Sequence, residues 1–226
     1  MIWQRLSQPW QAAIEEAWIA YRGGSLPHGA VITDADGHIV SRGRNRINEK
    51  VAAETEQTVL HGHRLAHAEL NALTQTDWDT VNPRTCVLYS TIEPCPMCIG
   101  AIRMANVRKV RYAARDNTSG ASSLIDKTPF LKNGNLHILG SQDTELETLL
   151  LAMLIESALS HPSYPAKEAW AEQLSLDVPM AGQLGHRLYE SRQLRQWQEA
   201  GKDVVFVVDQ LAEQARYLLS TVSDTL

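Results

Sequence analysis

The stretches "HAELNALTQT" (residues 67–76) and "EPCPMC" (residues 93–98) group one histidine, one glutamate and two cysteines in a chain of 226 residues that has only 3 cysteines. Cys95 and Cys98 form a C-x-x-C pair, which can be a redox pair, half of a structural zinc site or a chance occurrence. A redox pair usually follows the first strand of a βαβ pattern, whereas this pair follows a later predicted strand. A four-cysteine zinc site needs two more cysteines, and only Cys86 remains, on a predicted buried strand. What is left is a site with two thiolates and another ligand.

His67 is a suitable third ligand. Two cysteines and one histidine leave the fourth tetrahedral position of Zn²⁺ open, as in catalytic rather than structural zinc sites. Glu69 follows two residues later, at a distance suited to contacting a water there without binding the metal. Predicted helices begin at His67 and just after Cys95, and a helix N-terminus favours thiolate over thiol. The pattern therefore predicts one zinc ion per chain, held by His67, Cys95 and Cys98, with Glu69 as the catalytic carboxylate.

Helices and strands alternate around this constellation. The predicted helices cover residues 9–21, a segment from 67, residues 96–105 and 146–158, and the predicted strands cover 29–33, 38–43, 85–91, 107–114 and 135–140. The first two strands flank "DADG", which indicates a hairpin. Residues 44–66 are polar and weakly periodic, which indicates a loop that could hold some helix. This order predicts an α/β fold in which helices cover both faces of one sheet.

The motifs resemble those of a known enzyme family. H-A-E at 67–69 together with P-C-P-M-C at 94–98 resembles the zinc-dependent cytidine and nucleobase deaminases. "TIEPCPMCIGAI" (91–102), "ARDNTSGASSL" (114–124) and "GAVITDADGHIVSRGRN" (29–45) resemble the branch of tRNA adenosine deaminases, guanine deaminases and fungal-type cytosine deaminases. The resemblance covers roughly residues 8–158. It implies a three-layer α/β/α sandwich with a mixed central sheet.

The same resemblance implies a reaction and a set of site residues. The reaction is hydrolytic removal of an exocyclic amine, with zinc-bound hydroxide as the nucleophile and Glu69 as the proton shuttle. The backbone N–H of Ala68 and the side chain of Asn45 would contact the substrate, and Asp116 would face its sugar. From the residues alone, Asn45 could equally be a turn asparagine. The other histidines are expected to be structural, exposed or in polar loops: His28, His61, His63 and His137.

The pattern of alternating helices and strands ends after residue 160. "HPSYP" (161–165) indicates a linker or a turn, and a polar helix is predicted from about 183 to 200. "VVFVV" (204–208) could be a strand or the buried start of a helix, because periodicity does not separate them in short apolar runs. We therefore divide the chain into a zinc-dependent deaminase domain at 1–158 and a largely helical C-terminal extension of unknown role at 159–226.

Charge favours a small substrate over a nucleic acid. The net charge is −5, which argues weakly against tight non-specific binding to nucleic acid. Two basic clusters indicate a solvated surface more than a phosphate-binding patch, although an RNA could bind there: Arg42, Arg44 and Arg46, and Arg103, Arg108, Lys109, Arg111 and Arg115. We therefore expect a nucleobase or nucleoside as substrate, with a tRNA-specific adenosine deaminase (adenosine to inosine) as the alternative. A non-catalytic, zinc-stabilised binding module is a further alternative, which Glu69 argues against.

Partners and compartment follow from fewer features. The resemblance implies a homodimer paired through helices near the metal. The N-terminal stretch lacks the apolar core of a signal peptide, and no apolar run is long enough for a membrane span. The 3 cysteines do not form a disulfide framework. We therefore expect a reduced, cytoplasmic compartment and no membrane partner.

Overall fold

The structure is a computed structural model that describes residues 1–49, 59–162, 164 and 166–223. It contains two compact units, Ser7–Ser141 on the one hand and Met1–Leu6 with Gln142–Leu226 on the other. The predicted loop at 44–66 is irregular where it is described, and its residues 50–58 lie outside the described part, as do two residues of the predicted linker at 161–165. Within the described ranges, every helix is too short or too polar to reach across a lipid bilayer.

The unit Ser7–Ser141 is built on a five-stranded sheet in the order β2-β1-β3-β4-β5. The strands are β1 Gly29–Thr33, β2 Ile39–Arg44, β3 Val87–Ser90, β4 Lys109–Tyr112 and β5 His137–Leu139. β1 is antiparallel to both β2 and β3, whereas β3, β4 and β5 run parallel to one another. The sheet is therefore mixed, as predicted, and the predicted hairpin is the pair β1 and β2.

Helices cover both faces of this sheet. They are α1 Gln8–Arg22, α2 Ala68–Thr74, α3 Pro96–Met104 and the short α4 Pro129–Lys132. Alternate residues of a strand point to opposite faces. Val31 accordingly packs with Ala12 and Ala13 of α1, whereas Ile32 and Leu88 pack in the core that contains α2 and α3. The predicted three-layer α/β/α sandwich is confirmed.

Two glycines bring the helix backbones directly onto the sheet. A Cβ at Gly29 would lie 1.9 Å from the carbonyl oxygen of Ala13 in α1. A Cβ at Gly43 would lie 2.3 Å from the carbonyl oxygen of Ala68 and 2.3 Å from the backbone nitrogen of Ala72 in α2. A side chain at either position would push the helix away. The close approach at Gly43 sets the distance between the first turn of α2 and strand β2.

The second unit is helical. It contains α5 Thr144–Ser160, α6 Lys167–Leu174, α7 Pro179–Ser191, α8 Gln193–Glu199 and α9 Val204–Ser223, with a 3-10 helix at Trp3–Arg5. A Cβ at Gly185 of α7 would lie 2.6 Å from Cγ2 of Ile155, so α7 packs closely on α5. Glu145 accepts ion pairs from Arg5 at 3.0 Å and from Arg216 at 3.1 Å, which join the N-terminal segment, α5 and α9.

The C-terminal extension is helical, as predicted, with one open alternative decided and two differences in detail. Residues 204–208 are the start of α9 and therefore helix. The predicted polar helix at 183–200 is two helices, because Arg192 adopts a positive φ of 55° between α7 and α8. α6 was not predicted. The compact units separate between 141 and 142, which groups α5 with the later helices, while the functional division into 1–158 and 159–226 stays a prediction.

Candidate functional site

The ends of four strands lie side by side along one edge of the sheet, the edge that runs across the strands. β1 pairs with β2 from Gly29 opposite Arg44, and with β3 through Ala30 opposite Ser90. Ser90 in turn lies opposite Tyr112 of the parallel strand β4. The start of β1 therefore lies beside the carboxyl ends of β2, β3 and β4. Ligands of open α/β sheets bind outside the carboxyl ends of the strands, and the predicted site residues lie at this edge.

Three potential metal ligands meet at the starts of two helices. His67 is the residue that caps the N-terminus of α2, Cys95 caps α3, and Cys98 lies in the first turn of α3. The Nδ1 atom of His67 lies 3.7 Å from Sγ of Cys95 and 3.5 Å from Sγ of Cys98, and the two sulfurs are 3.6 Å apart. The three atoms form a nearly equilateral triangle, and these residues are a group that could hold a metal ion.

The size of this triangle suits zinc. Tetrahedral zinc with Zn–S bonds of about 2.3 Å and a Zn–N bond of roughly 2.0–2.1 Å separates its ligands by about 3.8 Å for S···S and about 3.6 Å for S···N. The observed separations of 3.6, 3.7 and 3.5 Å agree with these values. Among the described residues the ligand group has three members, which leaves the fourth tetrahedral position to a small molecule. The predicted His67, Cys95 and Cys98 are thus brought together in a geometry that fits Zn²⁺.

Glu69 lies beside this triangle without belonging to it. Its side chain is buried, and only 3% of the residue is exposed. Ser90 Oγ donates a hydrogen bond of 3.1 Å to Glu69 Oε1, while Oε2 lies 3.3 Å from Sγ of Cys98. Burial raises the pKa of Glu69 above its ordinary value. The carboxyl group therefore has one oxygen anchored by Ser90 and the other directed to the metal ligands.

Ser90 is a site residue that sequence analysis missed. It is the last residue of β3 and is fully buried. A polar residue at the carboxyl end of an otherwise apolar strand was a signal that could have indicated it, since that end of a strand is where α/β sheets bind ligands.

The two thiols are electrostatically different. The hydrogen bond between Cys95 and Cys98, with further contributions from His67, lowers the pKa of Cys95 to about 4. The same contact with Cys95 raises the pKa of Cys98, and hydrogen bonding to Cys95 raises the pKa of His67. Cys95 is therefore a thiolate at neutral pH. A thiolate is the form of cysteine that binds a metal cation.

Asn45 and Ala68 lie at the same sheet edge. Asn45 is 1% exposed, and its Oδ1 accepts a hydrogen bond of 3.2 Å from the backbone N–H of Ile47. The bond to Ile47 is that of a turn asparagine, and it engages the amide oxygen rather than the amide nitrogen. Ala68 is the first residue of α2, so the helix does not use its backbone N–H. Contact of either residue with a substrate stays a prediction.

The carboxylate of Asp116 accepts hydrogen bonds from the loop that follows it. Its Oδ1 accepts hydrogen bonds from the backbone N–H and hydroxyl of Thr118 at 2.9 and 2.6 Å, and its Oδ2 accepts one from the hydroxyl of Ser119 at 2.5 Å. Both carboxylate oxygens thus stabilise the loop that follows β4. The predicted contact of Asp116 with a sugar stays a prediction.

The histidines outside the metal group behave differently from one another. His137 and His63 are exposed, and Nδ1 of His63 accepts a hydrogen bond of 3.2 Å from the backbone N–H of Leu65. His61 is half-buried. His28 is half-buried, and the charges of site residues act on its ring. The expectation that it is structural or exposed stays a prediction, and the pairing of β1 with β2 that places it near the site is a tertiary feature.

The arginines at the end of β2 are paired with carboxylates. Arg42 forms an ion pair of 2.7 Å with Glu15, and Arg44 and Arg46 contact Glu49 at 3.1 and 2.6 Å. Their charges are therefore offset locally. This arrangement gives no support to a phosphate-binding patch at these three residues. Arg42 is exposed and Arg44 is half-buried, whereas Arg46 is only 4% exposed, so the predicted solvated surface does not extend to Arg46.

Comparisons with known proteins agree with the geometry. Residues 4–114 match the family described as "Cytidine and deoxycytidylate deaminase zinc-binding region". The tRNA-specific adenosine deaminase of Bacillus subtilis is 36% identical over 115 residues, which are 50% of this chain and 64% of that protein. The tRNA(Ile)-lysidine synthase of Deinococcus radiodurans is 36% identical over 121 residues, which are 51% of this chain and 19% of that protein. The chain thus spans less than two thirds of the length of each of these relatives.

A solved structure shares the fold. NE0047 in complex with 2,6-diaminopurine superposes with a TM-score of 0.51 at 22% identity, over 72% of this chain and 88% of that chain. At this identity the likeness shows the fold alone. The resemblance inferred from the motifs at 67–69 and 94–98 is confirmed, and so is the expectation of a zinc-binding domain.

Proposed function

The chain belongs, through residues 4–114, to the zinc-binding family of cytidine and deoxycytidylate deaminases, and we propose that it is a hydrolase that removes the exocyclic amine of a nucleobase or nucleoside. One observation carries this proposal. Glu69 is buried, is held by Ser90 at 3.1 Å, and lies 3.3 Å from Cys98 Sγ without belonging to the potential ligand group. A structural zinc site does not need an unligated carboxyl group, so a non-catalytic zinc-stabilised module is disfavoured.

The chain's own residues would divide the chemical tasks. Nδ1 of His67 and the sulfurs of Cys95 and Cys98 would hold one zinc ion, which supplies a Lewis acid that lowers the pKa of a water molecule. Glu69 would take a proton from the water at Oε2 and deliver it to the ring nitrogen. It would then take the proton of the hydroxyl group formed on the ring carbon and pass it to the amine, which leaves as ammonia. The net reaction consumes one water, forms a carbonyl group on the ring and releases ammonia.

The surroundings of Glu69 support this role. An efficient proton shuttle has a pKa near the working pH, and burial moves the pKa of Glu69 upward toward that range. The hydrogen bond from Ser90 engages Oε1, so Oε2 is the oxygen that is oriented for proton transfer. We assign Ser90 as a positioning residue for this reason.

The charges at the sheet edge support a small substrate. Binding of tRNA depends on cationic side chains that contact phosphates. Arg42, Arg44 and Arg46 are instead engaged by Glu15 and Glu49, and the net charge is −5. For a small substrate, we propose that the amide of Asn45 and the backbone N–H of Ala68 contact the base, and that Asp116 shapes the loop on the sugar side.

A tRNA-specific adenosine deaminase is the second candidate. It is favoured by the 36% identity with the Bacillus subtilis protein of that name. One assay distinguishes the two candidates. It measures ammonia release from adenine, guanine, cytosine, their nucleosides and a tRNA anticodon stem-loop. Release from a base or nucleoside is the expected result. Release from the RNA alone would establish the second candidate, and bound zinc without release from any compound would favour the non-catalytic module.

The assembly and compartment are further parts of the proposal. Met104 at the end of α3 exposes 70% of its surface, and an exposed apolar side chain on this helix suits a homodimer paired near the metal. The mass of the zinc-loaded protein in solution, by light scattering, tests this pairing. A site that depends on two free thiols suits a reducing compartment, and we propose the cytoplasm.

A further inference from the structure

His28 is held by its backbone at the sheet edge that carries the site. Its carbonyl oxygen accepts a hydrogen bond of 2.9 Å from the backbone N–H of Asn45, and its own N–H donates to the carbonyl oxygen of Leu26 at 2.7 Å. The next residue, Gly29, donates its N–H to Oγ1 of Thr91 at 3.0 Å. The side chain of His28 therefore starts from a fixed point between the end of β2 and the end of β3.

Charges from three different segments of the site act on the ring of His28. The neighbours whose charges act on it are Asp116 after β4, His67 before α2 and Cys95 before α3. Burial lowers the pKa of His28 to about 4, so the imidazole is neutral at physiological pH. A neutral imidazole nitrogen can donate or accept one hydrogen bond, depending on the tautomer.

One atom of this ring has no hydrogen bond within the described part of the chain. Nε2 of His28 is shielded from solvent and has no partner among those residues. Buried polar atoms nearly always have a partner, because leaving one unsatisfied costs about 1–3 kcal/mol. Such an atom beside a ligand site points to a partner that is not part of the described chain.

The metal ion does not account for Nε2. The described ligand group at this edge consists of His67, Cys95 and Cys98, and His28 is not a member of it. A purely structural histidine would satisfy Nε2 with a neighbouring backbone or side-chain group. A polar atom of a bound heterocycle is a partner that fits this position at the ends of the strands.

We propose that His28 is a substrate-contacting specificity residue whose Nε2 hydrogen-bonds a ring nitrogen or an exocyclic oxygen on the edge of an amino-heterocycle. The proposal rests on the function proposed above and adds a residue to it. The backbones of His28 and Asn45 are hydrogen-bonded to each other, so the two side chains start close together and would contact the same base. An apolar side chain at 28 would leave the substrate atom unpaired in a buried site.

Binding measurements test this contact apart from turnover. The zinc-loaded protein carrying Glu69→Gln is dialysed against guanine, adenine, cytosine and their nucleosides, alone and with His28→Leu or His28→Gln. Leu keeps a similar volume and removes the polar atom, whereas the Gln amide can occupy the position of Nε2. For the compound that binds most tightly, we expect His28→Leu to raise Kd by about tenfold to a hundredfold and His28→Gln to stay within about threefold. Zinc content and Tm should match the parent protein.

Three results would overturn the contact. These are an unchanged Kd in His28→Leu, failure of the parent to bind any of the six compounds, and a loss of affinity in both variants accompanied by lower zinc content or Tm. Ammonia release by the unsubstituted protein tests the proposed function separately. Ammonia release with an unchanged Kd in His28→Leu would reject the contact alone, and binding that depends on His28 without ammonia release would reject the deaminase alone.

Discussion

Replacing Glu69 by Gln removes the proton acceptor and keeps its shape. The amide oxygen can still accept the hydrogen bond of 3.1 Å from Ser90, and the NH₂ group takes the place of the oxygen that lies 3.3 Å from Cys98 Sγ. General acid–base catalysis contributes about 10²- to 10⁴-fold, which is roughly 2.7–5.5 kcal/mol of activation free energy. Of the nearby carboxylates that the structure describes, Glu93, which follows β3, and Asp116 both accept hydrogen bonds from the loop at 116–122, so neither can replace Glu69. We therefore expect a loss near 10⁴-fold in kcat.

The assay is ammonia release by the zinc-loaded variant, with zinc content measured on the same sample. Zinc content should equal that of the unsubstituted protein, because Glu69 lies outside the ligand triangle. Glu15→Gln is the matched control, since Glu15 is a surface carboxylate paired with Arg42, and its kcat should not change. A variant at 69 that keeps more than about a tenth of kcat with full zinc would refute its role as the proton shuttle. A variant that loses its zinc would show instead that Glu69 is a ligand.

Three other changes have distinct expected outcomes. Ser90→Ala frees Glu69 Oε1, so kcat should fall about tenfold with KM and zinc content unchanged, and an unaltered kcat would show that the bond does not orient the carboxyl group. Gly43→Ala places a Cβ 2.3 Å from the backbone of α2 and should lower both zinc occupancy and Tm. The control Gly100→Ala, whose Cβ meets nothing within 4 Å, should lower neither. Equal zinc contents in the two variants would show that the close approach of α2 to β2 does not position the zinc ligands. After chelator treatment, the rate at which Cys95 is alkylated should be nearly independent of pH from 6 to 8, because a pKa of about 4 keeps the side chain a thiolate throughout this range. A rate that rises about tenfold per pH unit would indicate an ordinary thiol.

Local signals were sufficient for part of the metal group and much of the fold. Short-range spacing brings Cys95 and Cys98 together at the start of α3. The meeting of His67 with them, across 28 and 31 residues, was predicted from zinc-ligand chemistry and the resemblance of the motifs. The hairpin and the two-faced sheet follow from turn residues and alternation. The helices of the C-terminal unit were harder, because the positive φ of Arg192 that separates α7 from α8 has no marker in a polar run.

Ser90 and His28 show what local patterns could not supply. Ser90 reaches Glu69 only because β3 lies next to β1 under α2. His28 reaches the site because β1 runs antiparallel to both of its neighbours, which brings a residue that precedes a strand to the edge where other strands end. Both depend on long-range pairing, which is set by tertiary structure rather than by the spacing of residues.

X-ray absorption at the zinc edge tests the central claim most directly. The account predicts two sulfur ligands at about 2.3 Å, one nitrogen at roughly 2.0–2.1 Å and one further light atom from a small molecule. Cys95→Ser should reduce the sulfur count to one. A spectrum with no sulfur, or with a third sulfur in the first coordination shell, would contradict a site formed by His67, Cys95 and Cys98.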